Sequence, residues 1–225
     1  MRNASSDLAE LARRGMPFPI GVGIRHTADG APTLHALEEQ SLGPRAADRR
    51  RLYFSLGRAA AHEALAELGI YGAAVGRGPS GEPLWPAGVV GAISHSGELA
   101  IAIVGSHGHY AGLGVDIEQL SRGLTARAAR LVCTPAEMAW VDPEAGSTRL
   151  TTLFSAKEAV FKALFPIEGV WLGFADAELT WLPERCVFEA RLLKAASATH
   201  VLGSRLEVRC NVVGAQVLST TYALT

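Results

Sequence analysis

The sequence predicts an α+β fold in two halves of similar size. Three observations carry this. Two long helical patterns, at 46–68 and 147–164, stand one in each half. β-favouring apolar runs flank the first pattern, and four alternating runs follow the second after residue 177. The chain has 225 residues, 48% hydrophobic and 19% charged, which suits a packed core rather than disorder. We divide it at 1–112 and 113–225, with an apolar strand near 111–118 as midpoint. No sequence repeat relates the halves.

The elements follow in order. Leu8–Arg14 reads as a short helix closed by Gly15, then a turn with prolines. Ile20-Gly21-Val22-Gly23-Ile24 alternates as a strand. Its glycines make no dinucleotide fingerprint, because no third glycine opens a helix. A loop with a short helix at Leu34–Gln40 comes next. From Ala46 to Leu68, Leu52, Leu56, Ala60, Ala64 and Leu65 recur at three- and four-residue spacing, and Gly69 closes the helix. Residues 70–88 are a glycine- and proline-rich loop, long enough to suggest function. Val89–Gly97 and Leu99–Val104 predict a hairpin. His107 and His109 share a face, but the flanking glycines predict a plain turn and not metal ligands. Thr125–Val132 and Pro135–Val141 form a helical pair, the second opened by Thr134-Pro135-x-Glu137. The helix at 147–164 is expected to stop at Pro166. Ala177–Leu182, Val187–Leu192, Arg205–Asn211 and Gln216–Tyr222 alternate as antiparallel strands.

Composition excludes several function classes. The net charge of -1 argues against an electrostatic nucleic-acid binder. No apolar run approaches the roughly 20 residues of a membrane span. The first fifteen residues mix charged and short apolar side chains, unlike a signal peptide. Cys133, Cys186 and Cys210 are widely spaced and fit neither a zinc pattern nor a disulfide framework. Buried free thiols in a reducing cytoplasm are expected, and the protein is expected to be a monomer.

The chemistry gathers at Gly114-Val115-Asp116-Ile117-Glu118. Side chains two apart on a strand share a face, so Asp116 and Glu118 point the same way. Two carboxylates so close repel unless a cation relieves them, and a hard divalent ion such as Mg²⁺ suits oxygen ligands. The pair alone fits any metal or none. The long helix adds Lys157-Glu158-x-x-x-Lys162, where Glu158 and Lys162 stack at four-residue spacing. An exposed i, i+4 ion pair is the plain interpretation. Yet Ala156, Ala159, Val160 and Phe161 make the helix apolar nearly all round, and buried charges need partners. Glu158 completing a carboxylate triad and Lys162 facing a phosphate would supply them. Arg45, Arg49, Arg50, Arg51 and Arg58 line the earlier helix, with Arg50 and Arg58 on one stripe. They form a solvated basic face or a phosphate clamp. Arg77 is an exposed arginine or a phosphate contact. Ser94-His95-Ser96-Gly97 is an anion site or a turn with a structural histidine.

Five motifs in order resemble one known family. They are Gly57-Arg58-x-Ala60-Ala61, Gly81-Glu82-Pro83-Leu84-Trp85-Pro86, Ile93-Ser94-His95-Ser96, Gly114-Val115-Asp116-Ile117-Glu118, and Phe154-Ser155-Ala156-Lys157-Glu158-Ala159-Val160-Phe161-Lys162. Over about residues 45–165 the chain resembles the 4′-phosphopantetheinyl transferases that serve polyketide, nonribosomal-peptide and siderophore synthesis. The resemblance implies a pseudo-dimer of two α+β halves with the active site at their junction. It implies transfer of 4′-phosphopantetheine from coenzyme A to a serine of an apo acyl or peptidyl carrier protein, releasing 3′,5′-ADP. It implies Mg²⁺, with Mn²⁺ as a substitute, held by Asp116, Glu118 and Glu158. Arg50, Arg58 and Arg77 are implied contacts to the nucleotide end of coenzyme A, including its 3′-phosphate. Ser94 and His95 match a phosphate-contacting pair, Lys162 a pyrophosphate lysine, and Lys157 a further ligand contact. Ile117 stands at a position that varies in the family and cannot ligate, so a water or a backbone carbonyl would fill that coordination position.

Asp116, Glu158 and Lys162 are therefore the expected catalytic residues. Glu158 is the candidate base, directly or through a metal-bound water. The segment from Arg122 to Trp140 is a docking surface for the carrier or an ordinary core-facing helix pair. With the carboxylate triad alone, a Mg²⁺-dependent pyrophosphate hydrolase and a non-catalytic nucleotide-binding module stay open as alternatives.

Overall fold

The computed structural model describes residues 4–30, 32–42, 47–122, 124–141 and 147–225. Arg45, Ala46, Gly123 and the Arg122 side chain, all part of the sequence patterns above, lie outside the described residues. The chain separates into two compact units, Met1–Leu113 with Leu224–Thr225, and Gly114–Ala223.

The first unit contains α1 (Ala4–Arg13), β1 (Ile20–His26), α2 (Ala36–Leu42), α3 (Asp48–Glu67), β2 (Gly76–Arg77), β3 (Pro83–Leu84), β4 (Val89–Ser96) and β5 (Leu99–Ser106). β1, β5 and β4 form an antiparallel sheet in that order. The three- and four-residue spacing of Leu56, Ala60, Ala64 and Leu65 puts them on one face of α3, packed on Ala100, Ala102 and Val104 of β5. Gly21 and Gly23 let the helix come close: a Cβ on either would collide with the Ala64 or Ala60 carbonyl. The helix also covers the outer edge of β1. The Val22 N–H donates to Glu67 Oε2 at 2.8 Å and the Ile24 N–H to Glu63 Oε2 at 3.0 Å. Edge donors are thus satisfied and the strand is closed to further pairing. The 70–88 loop is ordered around the short β2–β3 pair, and Trp85 Nε1 donates to the Gly91 carbonyl at 2.9 Å.

The second unit takes most of β6 (Tyr110–Gln119), then α4 (Ala126–Val132), α5 (Pro135–Val141), α6 (Ser147–Glu168), β7 (Ala177–Leu182), β8 (Val187–Leu192), β9 (Arg205–Val213) and β10 (Gln216–Leu224). Its sheet runs β6-β10-β9-β8-β7. Thr125 caps α4 by accepting from the Ala128 N–H. At α5 the Glu137 carboxylate accepts from the Thr134 N–H and Thr134 Oγ1 from the Glu137 N–H, a reciprocal capping box.

The stop expected at Pro166 is corrected: α6 runs through it to Glu168. A proline in the last turn removes a single intrahelical hydrogen bond, and Phe161 and Phe165 pack on Trp171 beside it. Gly169 ends the helix instead, at φ 69°, its N–H donating to the Phe165 carbonyl at 2.8 Å.

Both units repeat one order: a strand, a long helix, then strands, the last of which pairs with the first (β1 with β5, β6 with β10). Among the described residues no helix is long and apolar enough to cross a membrane.

Candidate active site

In the second unit, Gly114 packs on the Ala159 carbonyl of α6, where a Cβ would collide. Strand alternation puts Asp116 and Glu118 on that same helix-facing side. Both are buried, at 3% and 8% exposure. Lys162 of α6 reaches Asp116 and donates to its Oδ1 at 2.7 Å. Glu158, one turn before Lys162, has its carboxyl held above the usual range. Burial is the main cause; Lys162 opposes it, and the charges of Asp116 and Glu118 add to it. The structure therefore brings Asp116, Glu118, Glu158 and Lys162 within one electrostatic group. Ile117 is fully buried on the opposite side of the strand.

Three oxygen-donor carboxylates whose like charges work against one another match what a hard divalent cation takes. As they stand they are not drawn into a cage: among the described residues no three His, Cys, Asp or Glu side chains are set to hold a metal ion. The donor chemistry fits Mg²⁺, and Lys162 is the cation that faces Asp116.

Glu158 also lines a cavity of about 220 Å³, walled by Phe161, Trp171, Leu172 and Phe174. Lys157 lies at its base, but its ammonium is spent on structure. It donates to the Val132 carbonyl at 2.8 Å and the Phe174 carbonyl at 2.6 Å, and pairs with Glu137 Oε2 at 2.7 Å. An ammonium has three protons, and all three have partners. Burial pushes its pKa down, and the Glu137 carboxylate opposes that. Lys157, expected to contact the ligand, here ties α4, α5 and the turn at Phe174 together.

In the first unit, Arg58 is buried on α3. Its guanidinium lies 4.3 Å over the Phe54 ring and donates to the Gly76 carbonyl at 2.8 Å. Its Nε is buried without a hydrogen-bond partner. Its pKa falls to about 10, first through burial, which nearby Glu38 opposes and nearby Arg77 reinforces. The charge of Arg77, exposed on β2, thus reaches the buried Arg58 guanidinium. Arg50, two turns upstream on α3, is exposed.

Ser94 and His95 are adjacent on β4 and so lie on opposite faces: Ser94 is buried, His95 exposed. Their side chains thus leave the strand on opposite sides. His95 stands 5.1 Å from the Tyr53 ring, which lies under the Arg49 guanidinium at 5.4 Å. The sequence singles out neither Tyr53 nor Glu38, and marks Arg49 only as one of the basic residues of α3 and Glu137 only at a helix start. The i, i+4 spacing of Arg49 and Tyr53 is the one signal that pairs any of them. On α4, Arg127, Arg130 and Leu131 are exposed while Val132 is buried, so Leu131 is an apolar contact on offer.

Two family models match the chain, the 4′-phosphopantetheinyl transferase N-terminal domain over residues 38–105 and the 4′-phosphopantetheinyl transferase superfamily over 112–218. The chain is 35% identical over 144 residues to 4′-phosphopantetheinyl transferase Npt of Nocardia iowensis, covering 64% of this chain and 64% of that protein. It is 38% identical over 165 residues to 4′-phosphopantetheinyl transferase Svp of Streptomyces mobaraensis, covering 69% and 65%. It is 40% identical over 118 residues to enterobactin synthase component D of Escherichia coli (strain K12), covering 51% and 55%. The match thus spans less than two thirds of each relative's length.

Proposed function

Because the chain belongs to the 4′-phosphopantetheinyl transferase superfamily, we propose that it transfers 4′-phosphopantetheine from coenzyme A to a serine of an apo carrier protein. The observation that carries this is the group of Asp116 and Glu118, buried on β6, with the half-buried Glu158 and Lys162 of α6, opening at Glu158 onto an apolar cavity.

The serine oxygen attacks the β-phosphorus of the coenzyme A pyrophosphate. A new P–O bond forms, the P–O bond to the nucleotide breaks, and 3′,5′-ADP leaves. Glu158 accepts the serine proton. Lys162 neutralises pyrophosphate charge beside Asp116. Asp116, Glu118 and Glu158 would hold Mg²⁺, which when bound neutralises the phosphates and orients them. The apolar cavity at Glu158 suits the thin pantetheine arm, with Phe161, Leu172 and Phe174 excluding water from it.

At the nucleotide end the proposal uses Arg58 and Arg77, whose mutual repulsion a phosphate would relieve. Both sets of residues are proposed to serve one coenzyme A molecule, as in a two-halved fold with its active site at the junction. Arg127, Arg130 and Leu131 of α4 suit an acidic, amphipathic carrier helix. The three free cysteines support a reducing, cytoplasmic setting, where we propose that the protein acts as a monomer.

The test is to incubate the protein with coenzyme A, Mg²⁺ and an apo carrier, then weigh the carrier by mass spectrometry. Carrier heavier by one phosphopantetheine is the expected result. Coenzyme A cleaved with the carrier unchanged would indicate a hydrolase, and binding without turnover a non-catalytic module.

A further inference from the structure

Glu38 is a buried charge that the chemistry above does not use. It lies on α2 at 0% exposure and so touches no ligand. Its Oε1 accepts from the Val75 N–H at 2.8 Å and pairs with His62 Nε2 at 2.7 Å. Its Oε2 accepts from the His35 N–H at 3.0 Å. His62 stands on α3 four residues after Arg58, on the same helix face. Val75 runs directly into β2, whose Gly76 carbonyl accepts from Arg58 and whose next residue is Arg77. The Glu38 charge also reaches the Arg58 guanidinium and favours its ionised form. One carboxylate therefore joins the helix bearing Arg58 to the strand bearing Arg77. It supplies the counter-charge for the desolvated Arg58 guanidinium, while Arg77, on the next strand residue but one after Val75, is exposed.

We propose that Glu38 is a positioning residue for anion binding, fixing Arg58 and Arg77 in register for a terminal phosphate monoester. On the functional reading above, on which this rests, that monoester is the 3′-phosphate of coenzyme A. Glu38 acts through the guanidiniums, so it governs ligand affinity rather than the reacting atoms.

The experiment uses the full chain with 3′,5′-ADP and coenzyme A as probes. Glu38→Gln keeps the shape and removes the charge. It should weaken 3′,5′-ADP binding and raise the KM for coenzyme A roughly tenfold or more, with kcat at saturating coenzyme A within about twofold of wild type. Glu38→Asp, which restores the charge, should recover much of that loss. Adding Glu38→Gln to Arg58→Met should weaken binding little further than Arg58→Met alone, since the first acts through the second. A folded Glu38→Gln with wild-type 3′,5′-ADP affinity, or losses that simply add, would overturn the proposal. If Glu38→Gln does not fold, His62→Ala removes one of its partners at a half-exposed position and should weaken 3′,5′-ADP binding in the same sense; unchanged affinity there is equally decisive. If the wild type binds no 3′,5′-ADP, the functional reading fails on its own. The unfolding cycle of Glu38→Gln and Arg58→Met in urea then decides the coupling, and additive losses would refute it.

Discussion

Burial and two neighbouring carboxylates oppose the ionisation of Glu158, so the folded chain holds its proton more tightly than the unfolded chain does. The stability this adds is present below the usual carboxylate range and is lost as pH rises through the raised value. Without divalent cations, Glu158→Gln should therefore melt above wild type at neutral pH, and the gap should close as pH falls toward that range. Mg²⁺ should narrow the gap at neutral pH. A gap that ignores pH would contradict the electrostatic grouping of Glu158 with Asp116 and Glu118. Lys157 gives the opposite kind of test. Lys157→Met leaves Glu137 buried without its cation and should cost about 3–5 kcal/mol in urea unfolding. Unchanged stability with weakened coenzyme A binding would return Lys157 to the ligand. Arg58→Ala should raise the KM for coenzyme A about tenfold or more while sparing kcat, read by initial rates.

At the scale of elements, α4 presents Leu131 at 70% exposure beside two exposed arginines. Leu131→Asp should raise the KM for the carrier several-fold, on the order of 1 kcal/mol of lost contact, and leave the affinity for coenzyme A unchanged. An equal loss for both substrates would mean that the helix is structural. The same elements show what periodicity reveals and what it hides. α4, α5 and β7 to β10 were legible to within a residue or two because caps and alternation are local. The end of α6 was not, because one proline in a final turn is a small penalty that aromatic packing outweighs. Asp116 and Glu118 were legible as a shared face, and Gly114 shows which way that face turns. The role of Lys157 was hidden because two of its partners are carbonyls, at Val132 and Phe174, which no side-chain pattern announces. Glu38 was hidden for the same reason: next to Glu39 nothing distinguishes it except backbone donors brought from Val75 and His35.

At the scale of the molecule, two units with one strand–helix–strand order each carry half of the proposed chemistry. The first offers a buried and an exposed guanidinium whose charges act on each other, and the second carboxylates with a lysine and an apolar cavity. The central claim is that the acidic group on β6 and α6 moves phosphopantetheine onto a carrier. The most direct measurement is the mass of an apo carrier after incubation with coenzyme A and Mg²⁺, using wild type, Asp116→Ala and Glu158→Ala in parallel. The account predicts complete modification by wild type, and transfer slowed by at least roughly 10²-fold in both variants while their folds stay intact. Either folded variant modifying the carrier at the wild-type rate would contradict it.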